Sequence, residues 1–236
     1  MILEQNRSII PACDVSVIQY EALIKATHDL PGIGAYKIGF MLGLSIGLPK
    51  AVEIARRYTD KPLIYDHQKA GTDIPDTGIS FAKTCKDAGI DAVIFFPQAG
   101  PETEKAWIEA AREQELGVIV GGVMTHKAYT LSDGGWIDDK AIDKIYLTAA
   151  RCGVTDFVVP ATKLEIVRHI RRIITDEGVD ASFYAPGIGA QGGDYVQIAE
   201  TAGSKFHAII GRALYGAKNM RVAAETFCKL IAENAL

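Results

Sequence analysis

Short apolar runs recur along this chain at a nearly even interval, and that interval constrains the fold more than any other feature. Eight runs begin 25 to 30 residues apart, apart from one interval of 39 residues before the sixth run. Most of them are β-rich and apolar on both faces, as strands covered on both sides by helices must be. The predicted strands are Ser8–Val15, Ala35–Phe40, Pro62–Gln68, Ala92–Gln98, Gly117–Thr125, Asp156–Ala161, Ser182–Gly189 and His207–Tyr215.

Helical patterns fill the intervals between these runs. The clearest are Glu102–Gln114, Leu164–Thr175 and Val222–Leu236, each with an apolar stripe of helical period. Eight strand–helix units in 236 residues predict a single (β/α)8 TIM barrel, an α/β fold, occupying residues 1–236 as one domain. A doubly wound open sheet is the alternative.

Composition excludes several classes of protein. With 48% hydrophobic and 23% charged residues, the chain is neither disordered nor fibrous. A net charge of −4 disfavours nucleic acid as a partner. No uncharged stretch reaches the ~18–20 residues that span a bilayer, so no membrane partner is expected. Four scattered cysteines and the lack of a signal peptide predict free thiols in the cytoplasm.

Charged side chains gather where the first three predicted strands end. Asp14 lies at the end of strand one, Lys37 lies within strand two, and Asp66 is followed by Lys69 and Asp73 after strand three. Active sites of barrels form at these strand ends. A lysine inside an apolar strand is costly without an anionic partner, and the three aspartates are the candidates.

The last two strands carry a pattern typical of a phosphate site. Strand seven runs into Pro186–Gly193 (PGIGAQGG), and strand eight runs into Ile209–Arg212 (IIGR). Glycines let backbone N–H groups approach an anion, and an arginine grips two phosphate oxygens. Phosphate sites recur after strands seven and eight of barrels.

The longest interval contains His126–Asp139, which we expect to form a loop on the strand C-terminal side that acts as a lid. Tyr129 and Trp136 within it are expected to be exposed. The five histidines show no metal-ligand spacing, and the chain carries no redox dinucleotide fingerprint. We therefore predict neither a metal nor a cofactor.

Taken together, these motifs resemble the orotidine 5′-phosphate decarboxylase family. The resemblance rests on Asp14, on Tyr36–Gly39 (YKIG), on Asp66–Thr77 (DHQKAGTDIPDT), and on the PGIGAQGG and IIGR pair. It implies cofactor-free conversion of orotidine 5′-monophosphate to uridine 5′-monophosphate, in pyrimidine biosynthesis, by a carboxy-lyase.

Catalytic roles follow from the same resemblance. Lys69 would stabilise the carbanion at C6 of the pyrimidine and protonate it, Asp66 would face the departing carboxylate, and Lys37 would link Asp66 to the ribose. Asp73 and Thr77 would reach into the neighbouring site of a homodimer with shared active sites.

The resemblance also implies a substrate-binding set. It comprises Asp14 at a ribose hydroxyl, Thr125 at the pyrimidine, Gln191 between base and phosphate, Gly211 and Arg212 at the phosphate, and Pro186 beside them.

Strand three departs from the family spacing. The steps from Asp66 to Lys69 and from Lys69 to Asp73 are each one residue longer than the family pattern Asp-x-Lys-x-x-Asp-Ile. Residues three apart on a strand face opposite sides, so we expect a bulge after Asp66 and a second adjustment at Gly71.

Two other functions fit the same residues. One is a metal-dependent sugar-phosphate decarboxylase or aldolase of the same suprafamily, with Asp14 and Asp66 near a Mg²⁺ ion. The other is a non-catalytic nucleotide-binding barrel.

Overall fold

Eight parallel strands form the centre of the molecule. A computed structural model describes residues 2–68, 71–189 and 191–233. Within those ranges the strands are β1 (Arg7–Pro11), β2 (Tyr36–Ile38), β3 (Leu63–Asp66), β4 (Ala92–Phe95), β5 (Gly117–Gly121), β6 (Asp156–Val158), β7 (Ser182–Pro186) and β8 (Phe206–Ile210).

The strands close into a barrel. Their order is β1-β8-β7-β6-β5-β4-β3-β2, and every paired neighbour is parallel. Backbone hydrogen bonds join β1 to the β2 segment, because the N–H of Ile9 donates to the carbonyl of Gly32 and the N–H of Cys13 donates to that of Lys37, both at 2.8 Å. The predicted (β/α)8 fold is confirmed.

Helices follow the strands and cover the outside of the barrel. Those among the described residues are α1 (Val17–Thr27), α2 (Phe40–Ser45), α3 (Leu48–Arg56), α4 (Thr77–Asp87), α5 (Pro101–Glu113), α6 (Asp139–Arg151), α7 (Leu164–Asp176), α8 (Tyr195–Ala202), α9 (Arg212–Tyr215) and α10 (Met220–Glu233). The predicted helices correspond to α5, α7 and α10, and residues 234–236 of the last prediction lie outside the described residues. Within the described part of the chain, no helix combines the length and apolar character needed to cross a bilayer.

The core has two parts, which explains why the strands are apolar on both faces. Side chains such as Ile10, Ile64 and Ile94 fill the barrel interior. Side chains such as Ile9 and Val93 point outward and pack beneath the helices. Alternate residues of one strand therefore serve different clusters, as the period of two requires.

All eight strands end earlier than predicted, because the chain leaves the sheet before the apolar run is finished. Asp14 and Gln98 thus lie in loops. Residues after β5 form the predicted long loop, with a single 3₁₀ turn at Leu131–Asp133.

That loop corrects one expectation and agrees with another. Trp136 is 95% exposed, but Tyr129 is buried. The Tyr129 hydroxyl donates to the carbonyl of Gly122 and accepts from the side-chain amide of Gln98 at 2.6 Å. Because the hydroxyl is hydrogen-bonded inside the protein, burial removes the aromatic ring from water without leaving the hydroxyl unpaired.

Candidate active site

A buried lysine between two carboxylates forms the centre of the site. The ammonium of Lys37 lies 2.5 Å from Oδ2 of Asp66 and 3.5 Å from Oδ2 of Asp14. The side chains of Lys37 and Asp66 are only 6% and 4% exposed, whereas that of Asp14 is 26% exposed. Of the three aspartates proposed from the sequence, these two are the partners of Lys37.

Electrostatics keep this lysine charged. Burial by itself lowers the pKa of an ammonium, but the Asp66 and Asp14 carboxylates outweigh it and raise the pKa of Lys37 above its ordinary value. The hydrogen bond to Asp66 acts in the same direction. Lys37 is therefore a fixed positive charge at neutral pH and is unsuited to donating its proton.

Backbone geometry places Asp14 within reach of this lysine. A Cβ atom on Gly39 would collide with Oδ1 of Asp14, so only glycine lets the carboxylate approach the end of β2. This glycine belongs to the YKIG motif, and its role here is steric.

The three charged groups open into a cavity of about 280 Å³ at the carboxyl ends of the strands. Barrel enzymes place their substrates at this end. The cavity wall includes eight of the residues predicted from the sequence: Asp14, Lys37, Asp66, Thr125, Pro186, Gln191, Gly211 and Arg212.

The opposite wall of the cavity has the features of an anion site. The chain after β7 folds back on itself, with the N–H of Gly193 donating to the carbonyl of Gly187 at 3.0 Å. Gly187 has a φ of +101°, a left-handed conformation that favours glycine. Arg212 begins α9 beside this turn. Among residues 2–68, 71–189 and 191–233, no carboxylate forms an ion pair with Arg212, which leaves its guanidinium available to a ligand.

Several lining residues were not predicted from the sequence. Gln68, His126 and Tyr215 add polar groups, and an apolar floor consists of Ile94, Met124, Val158 and Ile209. The period of two could have identified Gln68, which lies two residues after Asp66 and so shares its face. The backbone N–H of Gln68 donates to Oδ1 of Asp66 at 3.1 Å.

Two predicted residues lie elsewhere. Asp73 and Thr77 line a separate cavity on the outer side of β3, beside an aromatic cluster. His67 belongs to that cluster, with its ring centroid 4.5 Å from that of Phe81, which lies 4.8 Å from that of Trp107. Asp73 is exposed and does not contact Lys37. Lys69 lies outside the described residues.

Strand β3 ends at Asp66, and the predicted bulge after it falls partly on residues outside the described ranges. The N–H of Gly71 donates to the carbonyls of His67 and Gln68 at 3.1 and 3.3 Å. Gly71 has a φ of +73°, and open space surrounds the position of a Cβ. The glycine adjustment predicted from the longer spacing is present, and it lies beyond the end of β3.

The described residues contain no cluster of three or more histidine, cysteine, aspartate or glutamate side chains arranged to hold a metal ion. Among the described residues, the ammonium of Lys37 lies between the carboxylates of Asp14 and Asp66.

Comparisons with known proteins identify the family to which the chain belongs. Residues 8–227 match the family described as "Orotidine 5'-phosphate decarboxylase / HUMPS family". Two relatives named orotidine 5′-phosphate decarboxylase are those of Methanosarcina mazei, 34% identical with 94% of each chain covered, and Pyrococcus furiosus, 31% identical with 93% of this chain and 96% of the relative covered.

A solved structure gives the same result for the fold. Orotidine 5′-monophosphate decarboxylase from Methanocaldococcus jannaschii, complexed with the inhibitor BMP, superimposes with a TM-score of 0.82 at 25% identity, covering 95% of this chain and 98% of that one. By the match over residues 8–227 and its relatives above 30% identity, this chain belongs to the orotidine 5′-phosphate decarboxylase / HUMPS family.

Proposed function

We propose that this enzyme converts orotidine 5′-monophosphate to uridine 5′-monophosphate and carbon dioxide. The observation that carries the proposal is that one cavity joins the buried Lys37–Asp66 pair to the guanidinium of Arg212, which has no ion-pair partner among the described residues. A nucleotide that carries a phosphate at one end and a reacting carboxylate at the other fits such a cavity. The names of its relatives support the same substrate.

The lining residues divide by chemistry along the cavity. Gly211, Arg212 and Gln191 offer donors to the phosphate, and Asp14 offers an acceptor to a ribose hydroxyl. We assign the Thr125 hydroxyl to the pyrimidine ring, which would lie against the apolar floor. In this arrangement, C6 of the ring would lie near Asp66.

Decarboxylation here breaks the bond between C6 and the carboxylate, and its electron pair stays on C6. The carboxylate leaves as carbon dioxide, and a proton replaces it. By resemblance to the family we assign that proton to Lys69, with Asp66 facing the departing carboxylate. The reaction as proposed uses no cofactor and no metal.

Magnitudes show why a proton donor is not sufficient. A positioned acid contributes roughly 10²–10⁴-fold. Enzymes typically lower the barrier by about 8–23 kcal/mol, which is far more than one acid supplies. The remainder must come from fixed charges such as Lys37 and from phosphate binding, which uses contacts remote from C6 to hold the ring. We therefore propose that Gly187–Gly193 also closes over the phosphate.

The position of Lys37 disfavours the alternative of a metal-dependent sugar-phosphate enzyme. That alternative places Mg²⁺ between Asp14 and Asp66. In this structure the Lys37 ammonium lies there, and it already supplies the positive charge that the two carboxylates require.

We further propose a homodimer with shared active sites. Asp73 and Thr77 lie outside the catalytic cavity of their own chain, where a second copy could receive them. Large apolar side chains are exposed in the same region, on α2 and around the start of α4: Phe40, Met41, Leu44, Ile74 and Ile79. Exposed apolar surface of this kind is typical of an interface. Leu48 and Tyr65 lie between α2 and the start of α4, since they line the same cavity as Asp73 and also contact α2.

The reaction belongs to pyrimidine biosynthesis, and we assign it to the cytoplasm. All four cysteines are free thiols, which a reducing compartment maintains.

A spectrophotometric assay with orotidine 5′-monophosphate tests the function. The protein is first treated with a chelator. We expect full turnover without metal and a large loss in Asp66→Asn. Folded, chelated protein that shows no turnover until Mg²⁺ is restored would support the metal-dependent alternative, and binding without any turnover would support a non-catalytic barrel.

A further inference from the structure

A second cavity lies between α5 and α6, away from the catalytic site. Its volume is about 340 Å³, within the range of roughly 300–1,000 Å³ typical of small-molecule sites. No residue lines both this cavity and the catalytic one. The walls are mainly apolar and include Pro97, Pro101, Ile137 and Ile145.

A buried carboxyl group stands in the wall of this cavity. Glu104 on α5 is only 2% exposed. Within the described part of the chain, its Oε1 atom has no hydrogen-bond partner. A buried polar atom without a partner costs about 1–3 kcal/mol, and more when the group is charged. Burial accordingly raises the pKa of Glu104 to about 8, against a smaller opposing effect of Lys105.

The position of Glu104 in its helix does not explain this cost. An acidic residue in a first helical turn is favoured by the helix dipole, but Glu102 already provides one there. Glu102 is exposed and pairs with Lys105 at 2.9 Å. Glu104 could interact with the helix dipole just as well from an exposed position. The dipole therefore does not explain why this carboxyl group is buried.

Charge and shape together define what would fill the cavity. Asp138 also lines it, and Lys144 is the single lysine at its edge, so ionised Glu104 makes the lining net negative. Trp136 adds an exposed indole ring, and indole rings attract cations over their faces. A ligand that pairs with Glu104 is therefore expected to carry a positively charged hydrogen-bond donor attached to an apolar group.

We propose that the cavity between α5 and α6 binds a small organic cation, an amine or amidine on an apolar body, with its nitrogen against Glu104. The apolar body lies between two prolines, one at the start of α5 and one in the loop before it, and two isoleucines, one in α6 and one in the loop before it. This site is separate from the decarboxylase function and does not depend on it.

Titration with benzamidine tests the proposal, and its neutral isostere benzamide provides the comparison. We expect saturable binding of benzamidine by calorimetry, at least tenfold weaker for benzamide. Glu104→Gln should weaken benzamidine binding at least tenfold, and the matched control Glu102→Gln should leave it unchanged. Quenching of tryptophan fluorescence should accompany binding and disappear in Trp136→Phe.

Three results would overturn this site: no saturable binding of benzamidine, equal affinity for benzamide, or unchanged affinity in folded Glu104→Gln. Ala141→Phe provides a second test that does not alter the carboxyl group. Because Ala141 lines the cavity, the added ring should block benzamidine, and full binding by this variant would place the ligand elsewhere.

Discussion

Lys37 carries a stability prediction at the scale of a single residue. Its ammonium lies 2.5 Å from the carboxylate of Asp66, which is only 4% exposed. A buried ion pair is not in itself a strong stabiliser, because desolvation offsets much of the attraction. Removing the lysine is different, since the buried Asp66 carboxylate then loses this partner.

We therefore expect Lys37→Met to lower the free energy of unfolding by roughly 3–5 kcal/mol at pH 7. Urea denaturation at pH 7 would measure the loss. The exposed Lys50, paired with Glu53 at 2.7 Å, provides the control. Lys50→Met should cost under about 1 kcal/mol, and a Lys37→Met loss no larger than that would contradict the prediction.

The buried carboxyl group of Glu104 predicts that the stability of the protein depends on pH. Its pKa is about 8 in the folded protein against an ordinary value of 4.5. The unfolded chain therefore binds fewer protons through that interval, and stability falls as pH rises from about 4.5 to about 8. Lys105 and Cys152 interact electrostatically with the Glu104 carboxyl group, and Lys144 lines the same cavity.

Glu104→Gln should remove this dependence. The variant should gain stability relative to the native protein by up to about 1.4 kcal/mol per pH unit across the interval. Urea denaturation at pH 5, 6, 7 and 8 would measure the difference. Native and variant stabilities that run parallel across this range would show that Glu104 ionises normally.

At the scale of the elements, the proposed phosphate site combines a glycine turn after β7 with the short helix α9. Arg212 at the start of α9 has no ion-pair partner among the described residues. We expect Arg212→Ala to weaken binding of uridine 5′-monophosphate roughly 10- to 150-fold, the loss of about 1.5–3 kcal/mol for a charged hydrogen bond. Binding of uridine, which lacks the phosphate, should change little.

Calorimetry with both ligands would separate these outcomes. Arg168→Ala provides the control, because Arg168 is an exposed residue of α7 that pairs with Glu165. Equal weakening of uridine and its monophosphate by Arg212→Ala would mean that Arg212 supports the fold of the cavity rather than the phosphate.

The strands could be predicted from the sequence because burial on both faces leaves an unmistakable apolar run. The carboxyl ends of the strands could not be predicted, because the apolar pattern continues beyond the last residue that pairs in the sheet. The hydrogen bonds from Gly71 to His67 and Gln68 show a second limit of the sequence pattern. The pattern does not indicate whether two extra residues lengthen the strand or the segment that follows it. Tyr129 shows a third limit, because the hydrogen bonds of its hydroxyl with the Gln98 side chain and the Gly122 carbonyl cannot be read from the sequence.

At the scale of the whole molecule, barrel closure brings together residues separated by up to about 200 positions. The rule that sites form at strand ends, together with the resemblance to the family, predicted eight lining residues of the cavity. It did not predict the apolar floor, whose residues resemble any other core. It also says nothing about Asp73 and Thr77, because their proposed role requires a second chain.

That proposed role leads to a test by subunit exchange. Lys69→Ala and Asp73→Ala chains should each be nearly inactive alone. If a site takes Lys69 from one chain and Asp73 from the other, each mixed dimer regains one native site. Random exchange at equal amounts makes half of the dimers mixed, so activity should return to about a quarter of the native value. Mixing Lys69→Ala with Asp66→Ala provides the control, because both residues are assigned to the same chain's site and no activity should return. Recovery in neither mixture after confirmed exchange would contradict the shared site.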